Sequence, residues 1–338
     1  MPRDVAVVAF ARNVLPHAEL DDVEMLAPTV TEALAAAKLD RRDVGFTVSA
    51  SCDYLGGRPF SFVMALDAVG AWPPIRESHV EMDGAWALYE AWVALQHGDI
   101  DVALVYAFGR STQGNLYKVL GAQLDPYTVG PLGVDVRALA AMQARAMIDA
   151  GRCTEHDLAS VAARSRGGNV DEFLRAPHVF GPLRDHDCAT PADGVAVAVL
   201  AAGERARKCC DRPAWIRGID HRIDAHAIGV RDLTRAPSAE AAARGANVPA
   251  RPVDVAELDA PFSHQEILLR GALGLGPSVK VNQSGGPLGE GWPYIVSGLL
   301  RIGAAAQRIH AGEASRALAH ATSGPCLQQN FVCVLEAG

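Results

Sequence analysis

Short apolar runs recur along the chain at Val5–Ala11, Gly45–Ala50, Val102–Phe108, Val195–Ala201, Ala317–Thr322 and Phe331–Leu335. Their near-continuous apolarity predicts strands buried on both faces. Between them lie stretches of helical period at Thr29–Ala37, Phe62–Val69, Gly84–His97, Ala138–Ala150 and Val296–Ile309. Strands alternating with helices predict an α/β layered architecture.

The pattern also repeats. From Val80 the chain passes Asp83-Gly84, a helix ending near His97, the turn Gly98-Asp99, the strand Val102–Phe108 and Gly109. From Val279–Val281 it passes a Gly-rich loop, the helix Val296–Ile309, the turn Gly312-Glu313, the strand Ala317–Thr322 and Gly324. A duplicated unit of this kind predicts two pseudo-twofold halves whose helix N-termini approach one another. The halves are expected at residues 1–202 and 213–338, joined by the polar, basic Gly203–Pro213. An excursion from the first half is expected at about 110–133, and Thr234–Pro252, rich in Ala, Arg and Pro, reads as a surface loop.

Composition narrows the function classes. With 49% hydrophobic residues among 338, the chain can bury a large core. A net charge of −8 without a basic block argues against binding nucleic acid or anionic membrane. No apolar run reaches the roughly 20 residues of a membrane span, and Val5–Ala11 is too short for a secretory core. Seven cysteines with no CxxC spacing give no expectation of zinc or of disulfides. A cytoplasmic protein with reduced thiols is expected.

The order of segments resembles the thiolase superfamily, in particular its sterol-carrier-type members, the lipid-transfer proteins. The likeness is carried by Asp187-Cys188 followed by Asp193-Gly194-Val195-Ala196, by Val255–Glu266, by Val281–Gly291, and by Ala321–Asn330 leading into the last strand. It spans essentially the whole chain. It implies the thiolase fold, two duplicated halves forming a five-layered αβαβα sandwich, and a homodimer through that core.

Four catalytic places of the family carry other residues here. The nucleophilic Cys at the N-terminus of the first duplicated helix is replaced by Asp83, whose ordinary job there is N-capping. The His of an HxCF- or HxPF-like motif is replaced by Asp259, with His264 a downstream alternative. If Asp259 lies buried near Asp83, repulsion would keep a proton on one of them. The GHP histidine is replaced by Trp292, with Tyr294 two residues on able to move a proton if its pKa is lowered. The CxG cysteine falls at Ser323-Gly324, with Cys326 close by as a shifted equivalent or a small buried residue.

Thiolysis needs thiolate, base and oxyanion hole together, so the site predicts different chemistry on acyl-CoA. The resemblance implies the retro-aldol cleavage of a β-hydroxyacyl-CoA. Some family members with altered sites act as aldolases on steroid side-chain CoA thioesters, together with a small OB-fold/zinc-ribbon partner. Asp83 or Tyr294 is the expected base, and Asn282, Ser284, Gly285, Gly286 and adjacent backbone N–H groups the expected enolate hole. Trp292 and Cys326 are expected against the substrate, and no cofactor beyond the CoA of the substrate. Two alternatives stand beside it: a catalytically silent acyl-CoA-binding or scaffold subunit, and an acyltransferase using Cys326.

Overall fold

Ten strands form the frame of the computed structural model, which describes residues 3–338. The first five are β1 (Val5–Leu15), β2 (Phe46–Ala50), β3 (Glu77–Val80), β4 (Val102–Arg110) and β5 (Asp193–Ala202). The second five are β6 (Ala214–Ile223), β7 (Val255–Leu258), β8 (Lys280–Val281), β9 (Arg316–Ser323) and β10 (Gln329–Glu336). The first set lies in the order β1-β5-β4-β2-β3 and the second in the order β6-β10-β9-β7-β8. Pairing directions match position by position: antiparallel, antiparallel, parallel, parallel. The internal echo in the sequence is thus a duplication of five strands. The sets join where Ala6 faces Trp215 and Val7 faces Ala214.

The longer helices are α1 (Asp22–Ala36), α2 (Ser61–Val69), α3 (Gly84–His97), α4 (Val136–Asp149), α5 (Glu155–Arg166), α6 (Pro237–Gly245), α7 (Ser263–Ala272) and α8 (Ser297–His310). Helices α3 and α8 form the middle layer, packed between the inner faces of both sheets. Those faces are small: Ala103, Val105 and Ala107 on β4, Ala196 and Ala198 on β5, Ala317 and Ala319 on β9. The outward faces of β4 and β5 carry Leu104, Tyr106, Phe108, Val195, Val197 and Val199, covered by α1 and α2. Helices α4, α6 and α7 cover the other sheet through Ala140, Ala239, Ala242, Leu268 and Leu269. The result is five layers, αβαβα. Among the described residues, no helix is long and apolar enough to cross a membrane.

Two stretches differ from expectation. Within Thr234–Pro252 the chain forms α6, not an exposed loop, because Pro237 starts the helix and Ala239, Ala242, Ala243 and Ala246 bury one face on β6 and β10. Within Gly203–Pro213, residues Gly203–Cys209 form a short helix against β1 and β5. The 110–133 excursion holds another short helix, Leu116–Ala122.

Candidate active site

The two central helices meet at their N-termini, and one side chain holds both. Asp83 is the N-cap of α3: its Oδ1 accepts from Ala85 N at 2.8 Å. Its Oδ2 accepts from Gly298 N, in the first turn of α8, also at 2.8 Å. Gly84 N donates to Ile295 O at 2.9 Å. Such closeness demands glycine: a Cβ on Gly84 would stand 2.8 Å from the Cβ atoms of Ala107 and Leu299, and one on Gly298 would collide with Asp83 and Ala321.

Asp259, just beyond β7, enters the same junction from the second half. Its Oδ1 accepts from Ser297 Oγ at 2.7 Å and its Oδ2 from Thr322 N at 3.3 Å. Both carboxyls are almost inaccessible, Asp83 at 4% and Asp259 at 1% exposure. Burial pushes Asp259 from 3.8 up to about 6. Burial, and then repulsion from Asp259, hold Asp83 well above the ordinary carboxyl range. Of the two carboxyls, Asp83 is the one raised by both causes and so holds a proton the more tightly. The nearest buried cation is Arg301, which is tied to Glu290 at 2.5 Å and Glu257 at 3.4 Å and draws both carboxyls part of the way back.

Asp83 and Tyr294 line a cavity of about 600 Å³ that opens past Tyr54, Phe60 and Glu81. Tyr294, Gln123, Thr322 and Ser323 also line a second cavity, of about 220 Å³, walled by Phe262, Trp292, Cys326 and Leu327. The Trp292 and Tyr294 rings sit edge to face at 5.4 Å. Burial pushes the Tyr294 phenol upward, not downward as a base would need, so it stands as a hydrogen-bond donor. Both thiols at the cavities are raised by burial, Cys52 to about 11 and Cys326 to about 12. The Cys326 Sγ donates to Leu139 O at 3.3 Å. Neither is a thiolate at neutral pH.

Several expected site residues lie elsewhere. His264 is fully buried on α7, with Nε2 3.1 Å from Gln143 Oε1, and burial drives it down to about 3. It is neutral and away from both cavities. Asn282 spends its Oδ1 on Leu258 N at 2.6 Å and its Nδ2 on Glu266 at 3.1 Å. Ser284 Oγ donates to Glu257 at 2.6 Å and accepts from Arg301 at 2.6 Å. Gly285 and Gly286 turn the chain, both at positive φ, into the short helix Gly286–Glu290. This Gly-rich loop fastens the sheet end to α8 and forms no part of the cavity wall.

Ser323, at the expected CxG place, lines the 600 Å³ cavity, and other residues that line it escaped sequence reasoning: Cys52, His79, Glu81 and Thr322. For two of them a signal existed. His79 and Glu81 stand four and two positions before Asp83, close enough in sequence to reach one cavity. Among the described residues, no group of three or more His, Cys, Asp or Glu side chains is arranged to hold a metal ion.

No family model matches the chain. A curated acetyl-CoA acetyltransferase of Methanothermobacter thermautotrophicus is 24% identical over 360 residues, covering 93% of this chain and 92% of that protein. Among solved structures, an Ltp2-ChsH2(DUF35) aldolase superposes with a TM-score of 0.78 at 19% identity, over 99% of this chain and 98% of that one. Human mitochondrial 3-ketoacyl-CoA thiolase superposes with a TM-score of 0.78 at 14% identity, over 99% of both chains.

Proposed function

We propose that this chain, which has the thiolase fold, cleaves the Cα–Cβ bond of a β-hydroxyacyl-CoA by retro-aldol chemistry without a covalent acyl-enzyme. One observation carries the reading. The junction of the two central helix N-termini, where this fold can activate a thiol, holds the buried carboxyl of Asp83, while the cavity thiols stay protonated.

A retro-aldol step asks for a base at the β-hydroxyl, donors for the enolate oxygen, and an acid that returns a proton to the α-carbon. Asp83, whose carboxyl burial raises, and the Tyr294 phenol supply the donor and acid side at one end of the large cavity. The acyl tail lies in the 220 Å³ cavity against Phe262, Trp292 and Leu327. Its flat aromatic walls make a steroid side-chain thioester the tail to test first. CoA enters as part of the substrate and no other cofactor takes part in the reading. The likeness to a two-protein aldolase supports a small OB-fold/zinc-ribbon partner completing the acyl-CoA contacts, on a homodimer built through the core. A cytoplasmic setting accords with seven unpaired cysteines.

The acetyltransferase relative favours a second reading, acyl transfer through Cys326, and one experiment separates them. Matched β-hydroxyacyl-CoA and β-ketoacyl-CoA thioesters are incubated with and without free CoA and a co-expressed partner, and CoA products are followed by mass spectrometry. Cleavage of the β-hydroxy thioester without free CoA is the expected result. Cleavage of the β-keto thioester only with free CoA would replace the aldolase by an acyltransferase. Binding with no cleavage would leave a silent acyl-CoA-binding subunit.

A further inference from the structure

The donors at the Asp83 end of the cavity leave one role unfilled, that of the group that takes the hydroxyl proton. We propose that Glu81, oriented by His79, is the general base of this site and passes the proton to solvent; the inference rests on the aldolase reading. Three carboxyls line the large cavity, Asp53, Glu81 and Asp83. Asp53 is spent, its Oδ1 accepting from Ser61 N and Oγ and its Oδ2 from Phe60 N. Both oxygens of Asp83 are engaged by the central helices, and burial with a second carboxyl raises it well above the ordinary carboxyl range. Glu81 differs on each count. Its Oε1 accepts from Asp53 N at 2.6 Å, which anchors the side chain, while its Oε2 faces His79 Nε2 at 3.4 Å, with the Cys52 thiol also beside the carboxyl. Its side chain is 45% exposed, so the anion is hydrated at rest and a captured proton has a way out.

His79 is held for one purpose. Its Nδ1 meets Ser49 Oγ at 3.1 Å and its ring stacks on Phe62 at 4.6 Å, which leaves Nε2 aimed at Glu81. Both line the same cavity as Asp83 and Tyr294. The step balances. Glu81 takes the β-hydroxyl proton as the Cα–Cβ electron pair moves into the thioester enolate, the carbonyl product departs, and the donor side protonates the α-carbon. Glu81 then loses its proton to water and the donor side regains one, so no oxidant, reductant or co-reactant is consumed.

The test uses the full chain as wild type, Glu81→Gln and His79→Asn, each with two assays: cleavage of a β-hydroxyacyl-CoA, and exchange of acetyl-CoA and propionyl-CoA α-protons in D2O. In exchange the α-proton is taken by the conjugate base of the group that protonates the α-carbon in cleavage, so it uses the enolate side and needs no hydroxyl base. Glu81→Gln is expected to lower the kcat for cleavage by about 100-fold or more, with exchange kept within about threefold of wild type, the level that marks an intact fold and donor side. His79→Asn is expected to lower kcat about tenfold at unchanged KM. Wild-type cleavage with Glu81→Gln equally active, or with cleavage and exchange lost together, overturns the role of Glu81 alone. A wild-type chain that neither cleaves nor exchanges overturns the aldolase reading and this inference with it.

Discussion

Replacing Asp259 by Asn should change how stability depends on pH, and in a predictable direction. Burial raises this carboxyl from 3.8 to about 6 in the folded chain. The folded state therefore binds a proton that the unfolded state has already released. Its stabilising contribution is whole below pH 3.8 and is lost as pH rises through about 6. A rise of about two units corresponds to about 3 kcal/mol at 1.36 kcal/mol per unit. Asn carries no such penalty, but its amide can serve Ser297 Oγ or Thr322 N as an acceptor and not both, which costs about 1 kcal/mol at every pH. With an unfolding entropy of about 2.1 cal/mol/K per residue over 338 residues, 3 kcal/mol is about 4 °C in Tm. Asp259→Asn should thus melt close to wild type at pH 4.5 and a few degrees above it at pH 8. Removing Asp259 also relieves the repulsion on Asp83, which widens the gap in the same direction. Tm of both proteins by differential scanning fluorimetry across that range is the assay. Parallel Tm curves would refute the claim that a carboxyl is buried here against its charge.

Thiol reactivity should follow burial: Cys326, raised from 9.0 to about 12, should react with iodoacetamide at pH 8 about 1000-fold more slowly than an ordinary thiol. Peptide mass spectrometry should find half-buried Cys210 labelled first, and rapid labelling of Cys326 would revive acyl transfer. Gly84→Ala places a methyl 2.8 Å from Ala107 and Leu299 and should destabilise by about 1–3 kcal/mol, read as a Tm loss of a few degrees; an unchanged Tm would contradict the close helix junction. Arg301→Met strands the buried Glu257 and the mostly buried Glu290 and should cost about 3–5 kcal/mol. Arg12→Ala, at the half-exposed end of the same network, should cost less than about 1 kcal/mol; equal losses in urea denaturation would show the network is not buried as described.

What was legible in the sequence was local. The run Val80–Gly109 and its echo Val279–Gly324 fold as β3–α3–β4 and β8–α8–β9, because apolar runs, capping residues and glycine stops act over a few residues. Asp83 in its capping place needed only its neighbours Gly84 and Ala85. The environment of Tyr294 was not legible, since its phenol is raised by residues from both halves that bury it. Asn282 and Ser284 looked free because their partners Leu258, Glu257 and Glu266 lie 16 to 27 positions away. Helix α6 was hidden by composition: alanine, arginine and proline read as a surface loop until their stripe meets a sheet. The pair His79 and Glu81 was within reach, for both lie within four positions of Asp83.

Two opposing effects act on a carboxyl placed at the junction of two helix N-termini. Two helix N-termini each favour a nearby anion by about 0.3–2 kcal/mol, and the two N–H bonds to Asp83 add to this. Against them stands the burial of a charge, which costs several kcal/mol even after relaxation, and a second carboxyl at the same junction. A thiol carries its charge on a large, polarizable atom, whereas a carboxylate concentrates it on two oxygens that lose more hydration. With Asp83 at 4% exposure and Asp259 at 1%, the balance moves toward the neutral acid. On the aldolase reading the junction supplies the donors that an enolate needs, and the base must come from a hydrated residue at the open side of the same cavity. Glu81 meets that requirement.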